Sequence, residues 1–237
     1  TSKRFYVTEG PGASTLMGKT DKKMTDFFFS GKTKNYETEH TKIKKNYIVK
    51  CKKLDDLCKE QIIDLLKIDT EGSELSILKG SERKLKTRQI LFIKTEFVFF
   101  RYYKKHNIFG EIHNYLEKFG YRLIHIDLDQ PKYSPIKTVI PSINDKGLMY
   151  AGDAYFCVDY KRFKFDKDIY KRLTLISFAL GFTNLGLFFQ EKSKDLSNDQ
   201  MKIINKMLSK KSFLRKAVDS WKLFSSKIIN LLGVIRS

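Results

Sequence analysis

The sequence predicts an α/β fold followed by a helical extension, and three observations carry that expectation. Short apolar runs alternate with amphipathic helical stretches over residues 1–160. Two of the runs, Ile62–Ile68 and Ile90–Ile93, are nearly continuous in apolar residues, as strands covered on both faces are. From about Lys161–Asp168 onward the strand-like pattern stops and helical spacing takes over.

In order, Lys3–Val7 is a strand candidate and Tyr47–Cys51 alternates as a half-buried strand does. Ile62–Ile68 follows, then a helix over Ser73–Lys86 broken at Gly80, a good helix C-cap, then the strand that starts at Ile90. Strand, helix and strand in that order make a βαβ unit with a parallel pair. Ile112, Tyr115, Leu116 and Phe119 stand at helical spacing, Gly120 stops that helix, and Tyr121–Ile126 and Tyr155–Val158 read as strands. Beyond the boundary, Leu173–Phe189 reads as one buried helix, too short and too interrupted by glycine for a membrane span. Ser197 and Gln200 form a capping box for a helix through about Ser209. The segment 216–235 sets Val218, Trp221, Phe224, Ile228 and Leu232 on one side, a face suited to docking or to peripheral contact with an acidic membrane surface.

The 237 residues carry a formal charge of +19, with 41% apolar residues, enough for a packed core. Only nine of the 46 basic residues are Arg, and no zinc-finger, helix-turn-helix or RNA-binding pattern accompanies them, so nucleic acid is not the expected partner. The charge is densest at the end, with 17 Lys plus Arg against 6 Asp plus Glu in residues 161–237. Cys51, Cys58 and Cys157 stand at no metal-ligand spacing and read as small hydrophobes of a reducing, cytoplasmic setting.

Two phosphate-loop matches fail on context. Ala13–Thr20 resembles a P-loop, but Glu9-Gly10-Pro11-Gly12 separates it from the preceding strand, and Asp21-Lys22-Lys23 follows where an apolar helix should pack. Gly10-Pro11-Gly12 includes a proline that removes an N–H a phosphate would use.

The informative constellation is Lys67-Ile68-Asp69-Thr70-Glu71-Gly72-Ser73-Glu74. Alternation in a strand puts Lys67, Asp69 and Glu71 on one face at the strand's C-terminal end, and the next strand ends Lys94-Thr95-Glu96. Ligands of open parallel sheets bind beyond such ends, so Asp69, Glu71 and Glu96 are expected to converge in a site. Lys67 and Lys94 would be partly buried and draw on those carboxylates as partners. Gly72 allows a tight exit from the strand, and Ser73 is placed to cap the next helix. A compact acidic loop suits a hydroxyl substrate or a divalent cation. His106, His113 and His125 read as surface or packing residues, with His106 inside a basic stretch, Arg101–Lys105.

These residues carry a resemblance. Ile63–Gly80, IDLLKIDTEGSELSILKG, resembles the signature of the FkbM family of S-adenosylmethionine-dependent methyltransferases, approximately lKiDvEGaE followed by vLkG. Leu54–Leu57 resembles the family's tLDdl element, Ile90–Phe97 its next strand, Phe109–Ile126 its later helix and lGY strand, and Tyr6–Leu16 its gpgaSSL segment. The resemblance covers about residues 1–160 and leaves 161–237 as a basic helical extension. It implies part of a doubly wound, Rossmann-like sheet, S-adenosylmethionine as cofactor, and methylation of a hydroxyl on a glycan, sugar or secondary metabolite. Asp69 is then the expected general base, with Glu71 and Glu96 orienting the acceptor; a divalent cation between Asp69 and Glu96 is a further expectation. No buried strand followed by GxGxxG occurs in the 237 residues, so no cofactor-binding residue is expected here, and the family's cofactor half is expected upstream. The rival expectations are a non-catalytic remnant serving as a binding or assembly module, and a membrane-surface protein acting through its tail.

Overall fold

Near-continuous apolar sequence in Ile63–Ile68 and Ile90–Val98 gives two adjacent strands that pair in parallel, with a broken helix crossing between them. The computed structural model describes residues 1–21, 23, 39–128, 149–193 and 202. The expected helices over 197–209 and 216–235 lie outside these residues, Lys202 aside. The chain divides into two units, Thr1–Lys164 and Phe165–Ser237.

The first unit opens with β1 (Ser2–Thr8), a 3-10 turn (Pro11–Ala13) and β2 (Ile43–Lys50). It continues through α1 (Leu54–Leu57), β3 (Ile63–Ile68), α2 (Glu74–Lys79), α3 (Glu82–Lys86) and β4 (Ile90–Val98). It closes with α4 (Phe109–Lys118), β5 (Tyr121–Leu128) and β6 (Ala151–Val158). β1 and β2 form an antiparallel ribbon. The other four strands form a mixed sheet in the order β3-β4-β6-β5, in which β6 runs antiparallel to both neighbours. β3, β4 and β5 therefore share one direction.

Strands β4 and β6 supply the core, with Ile90–Ile93, Phe97, Ala154 and Phe156–Val158 all buried. α4 covers one sheet face. Its Phe109 ring centroid lies 4.7 Å from that of Phe97, and His113 lies 6.1 Å from Phe156. The opposite face differs from the expected helix-covered one near the C-terminal strand ends. There the register aligns Lys67, Lys94, Tyr155 and His125 in one row, and Glu96, Asp153 and Asp127 in the next. Polar and charged side chains stand two residues apart on each strand of that face, where a covering helix would require apolar ones.

The crossover breaks where expected, although Gly80 keeps a right-handed φ of −72°. What favours glycine there is proximity: a Cβ would lie 3.3 Å from the Ile77 carbonyl oxygen, and Asp55 N–H donates to the Gly80 carbonyl at 3.1 Å. Gly120 ends α4 with φ +77°, and a side chain there would strike Phe163. Among the described residues, Ala13–Thr20 lies on no strand–loop–helix; Thr15 instead forms an isolated bridge with Tyr6.

In the second unit the expected single helix is two, α5 (Lys167–Ala179) and α6 (Thr183–Ser193). Gly181, with φ +86°, turns the chain between them, and Asp166 caps α5 by accepting from Ile169 N–H at 2.8 Å. No helix of the described residues is long and apolar enough to cross a membrane.

Candidate active site

The loop leaving β3 is built from inside by Glu74. This residue is buried, and its Oε1 accepts from Thr70 N–H (3.1 Å), Thr70 Oγ1 (2.8 Å) and Gly72 N–H (3.1 Å). One carboxylate oxygen thus gathers three donors that a tight turn would otherwise leave unmet. Ser73 does not cap α2 as its position suggests. Its hydroxyl donates instead to Thr70 Oγ1 at 2.9 Å, which turns it back toward the loop.

Glu71 and Gly72 both take left-handed conformations, φ +54° and +109°. For Glu71 this is uncommon and costs about 1 kcal/mol. It is held by Thr15, whose buried hydroxyl donates to the Glu71 carbonyl at 2.7 Å and accepts from Met17 N–H at 3.0 Å. Gly72 is enclosed: a Cβ would sit 2.8 Å from Met17, 3.3 Å from Tyr103 and 3.4 Å from His106. The segment near Met17 and the loop after β4 therefore clamp the turn from two directions.

This turn brings the three expected acids together. Asp69, Glu71 and Glu96 each place a carboxylate oxygen within 4.8 Å of the others, with Asp69 exposed and the two glutamates half-buried. Their charges are balanced unequally. Asp69 accepts from Lys67 Nζ at 2.8 Å, and Lys67 is exposed rather than partly buried. Lys94, expected to serve the same acids, instead pairs with Asp153 at 2.8 Å. That hydrogen bond raises its pKa to about 12. The reason is register: Glu96 aligns with Asp153 across the β4–β6 pair, and the antiparallel neighbour offers Lys94 a carboxylate beside its own strand. Glu96 is left with burial first, then Glu71, Glu74, Asp69 and Asp153 around it, and its pKa is pushed up to about 8.

Behind the acids stand Tyr103 and His106, both buried, their rings 5.4 Å apart. Burial, with the Glu71 charge second, pushes the Tyr103 hydroxyl far up, so it stays a neutral donor. Burial also lowers the His106 pKa, and its Nδ1 has no hydrogen-bond partner among the described residues. Arg101 anchors this loop by donating to the His106 carbonyl and to Glu111 Oε1 (3.0 Å). The basic stretch is thus split: Arg101, Lys104 and Lys105 are exposed, while Tyr102 and Tyr103 pack inward. His113 packs against aromatic rings and exposed His125 pairs with Asp127 at 2.8 Å, consistent with packing and surface roles.

Sequence reasoning finds Asp69, Glu71 and Glu96 but misses Glu74, Thr15, Tyr103 and Asp153 as the groups that set them. Thr70 and Glu74 stand four apart in the turn, a spacing that could have marked a side-chain clasp. Asp153 enters only through strand register, which local sequence does not display.

Comparison with known proteins gives one result. Residues 7–123 match the family model described as the methyltransferase FkbM domain. That span runs from the end of β1 through α4 into the start of β5 and includes the acidic turn and all three converging carboxylates. No curated protein and no solved structure matches the chain.

Proposed function

From a chain that carries a methyltransferase FkbM domain, we propose an O-methyltransferase whose acceptor hydroxyl is received by Asp69, Glu71 and Glu96. The observation that carries this reading is the convergence of three carboxylates from two parallel strand ends, one of them poised near neutral pH. Such a group suits proton abstraction from a hydroxyl, since a base works best when its pKa lies near the working pH.

The roles divide by environment. Asp69, hydrogen-bonded to Lys67, accepts a hydrogen bond from the acceptor and orients it. Glu71 does the same from the opposite side of the turn. Glu96, ionised above pH 8, takes the proton of the reacting hydroxyl, a role that suits it better than Asp69 because its burial raises its basicity. Tyr103, neutral and enclosed, helps keep water from the inner side of the pair.

S-adenosylmethionine is the methyl donor in this reading; when bound it supplies an electrophilic methyl group on a sulfonium centre. The described residues offer acids and hydroxyls on the acceptor side and no strand followed by a glycine-rich turn, so none is assigned to the cofactor. β3 to β5, with the antiparallel β6, are compatible with part of a doubly wound sheet. A divalent cation is a second occupant favoured by the carboxylate spacing, with Asp69 and Glu96 as ligands, since hard cations take oxygen donors gathered this closely.

The test measures S-adenosylhomocysteine release with soluble sugar and polyol acceptors, beside calorimetric titration of S-adenosylmethionine. Release that falls about a hundredfold in Asp69→Asn and Glu96→Gln, with the fold intact, supports the assignment. Undiminished release in both variants overturns the site. Absence of both cofactor binding and release favours a binding or assembly module.

A further inference from the structure

We propose that the cavity between the β1–β2 ribbon and α2 binds an anionic amphiphile, a molecule with an aliphatic or aromatic body and a phosphate or carboxylate head. On the methyltransferase reading, this molecule is the acceptor, held with its hydroxyl toward Asp69.

The cavity has a volume of about 880 Å³, reaches Asp69, Thr70 and Ser73 at one end, and runs along the ribbon to α1. That size suits a small molecule of some tens of atoms. Its walls include Phe5, Leu16 and Ile77, apolar side chains that remain half-buried because they border this space rather than the core. The placement follows from the ribbon: Lys3 pairs with Val49, and Phe5 stands two residues along on the same face, so one side of β1 and β2 brings both apolar residues and Lys3 to the cavity.

The rim of the cavity is cationic. Lys3, Lys50, Lys52 and Lys53 border the same cavity, and all four are exposed. None of them forms an ion pair among the described residues, whereas Lys44, Lys67, Lys86 and Lys94 of the same unit each have a carboxylate partner. Among the described residues, the acids on the wall are Asp56 and Asp69. An apolar trough with four cations on its rim complements a ligand that is apolar in the middle and negative at one end. A plain sugar would leave the apolar wall wet, and inorganic phosphate would use the rim alone.

The cavity contains its own reporter. Cys51 borders it and Cys58 does not; both thiols are free and half-buried. Alkylation by iodoacetamide, followed by peptide mass spectrometry, therefore compares a thiol inside the site with one outside it. The 237-residue protein is treated with n-octyl phosphate below its micelle concentration, with n-octyl glucoside and with inorganic phosphate. Octyl phosphate is expected to slow alkylation of Cys51 at least about fivefold and to leave Cys58 unchanged, with the other two compounds about tenfold weaker. The double reversal Lys52→Glu with Lys53→Glu should weaken the protection about tenfold. Ser76→Trp, which fills the cavity from an exposed position on α2, should abolish it without altering thermal unfolding.

Equal protection by octyl glucoside would overturn the anionic class, and equal slowing at Cys58 or none at Cys51 would overturn the site. Protection of Cys51 without S-adenosylhomocysteine release leaves this cavity standing, whatever the fate of the methyltransferase reading. Release without protection removes the cavity and leaves that reading standing.

Discussion

Strands β3 and β4 run side by side with nearly the same ending, Lys67-Ile68-Asp69 against Lys94-Thr95-Glu96, yet they treat their charges in opposite ways. On β3 the lysine reaches its own acid two residues on, and both stay exposed. On β4 the lysine crosses to Asp153 of β6, and Glu96 has no cation partner among the described residues. The difference lies in position. β4 is hydrogen-bonded on both sides and buried almost throughout, whereas β3 has one strand neighbour among the described residues and is half-buried. Similar residues thus give a solvated ion pair on one strand and a perturbed, proton-holding carboxyl on the next. The candidate site is the place where the two solutions meet.

The comparison depends on the turn that carries the chain out of β3, so the largest effect is expected from breaking its clasp. Glu74→Ala removes the acceptor of three hydrogen bonds and leaves two backbone N–H groups of a buried turn unmet. A loss of about 2–3 kcal/mol in urea unfolding is expected. An unchanged midpoint would mean that the acids are held by β3 and β4 alone.

Glu96 itself sharpens the contrast through pH. Its folded pKa, about 8, lies above the ordinary carboxyl value, so the folded protein keeps a proton that the unfolded chain releases. Stability from this group is full below about pH 4.5 and declines as pH rises toward 8. Glu96→Gln holds the neutral form at every pH. It should therefore match the parent near pH 4 and exceed it near pH 8.5 by roughly 2–4 kcal/mol in the presence of a chelator. Parallel stability–pH curves for the two proteins would show that Glu96 ionises like an exposed acid.

A smaller change is expected from Asp153→Asn. It removes one of the negative charges around Glu96 and frees Lys94 from its partner. The Glu96 carboxyl, followed by carbon-13 NMR, should then titrate about one unit lower. An unmoved titration would assign the shift to burial and the remaining acids.

How much of this is legible beforehand follows from where each partner stands in the chain. Ile63–Ile68, the broken helix and Ile90–Val98 are local patterns, and the acids at both strand ends follow from alternation alone. Gly72 announces its turn because few other residues fit between Met17, Tyr103 and His106. The Lys94–Asp153 pair is not legible, since it depends on β6 entering the sheet between β4 and β5. The break between α5 and α6 is missed for a different reason: apolar residues continue across Gly181, and only its left-handed φ separates the helices.

The smallest expected effect tests the quiet side of the comparison. Lys67 is exposed, and its hydrogen bond to Asp69 raises its own pKa. Lys67→Ala should therefore shift the thermal midpoint by less than about 2 °C, because a solvated pair contributes little to stability. It should still change the site. With its partner gone, Asp69 adds an unscreened charge beside Glu71 and Glu96, so a divalent cation such as Mn²⁺ should bind more tightly in the variant than in the parent. A large thermal shift would mean that the β3 pair braces the strand end, and that β3 and β4 differ less than their exposures suggest.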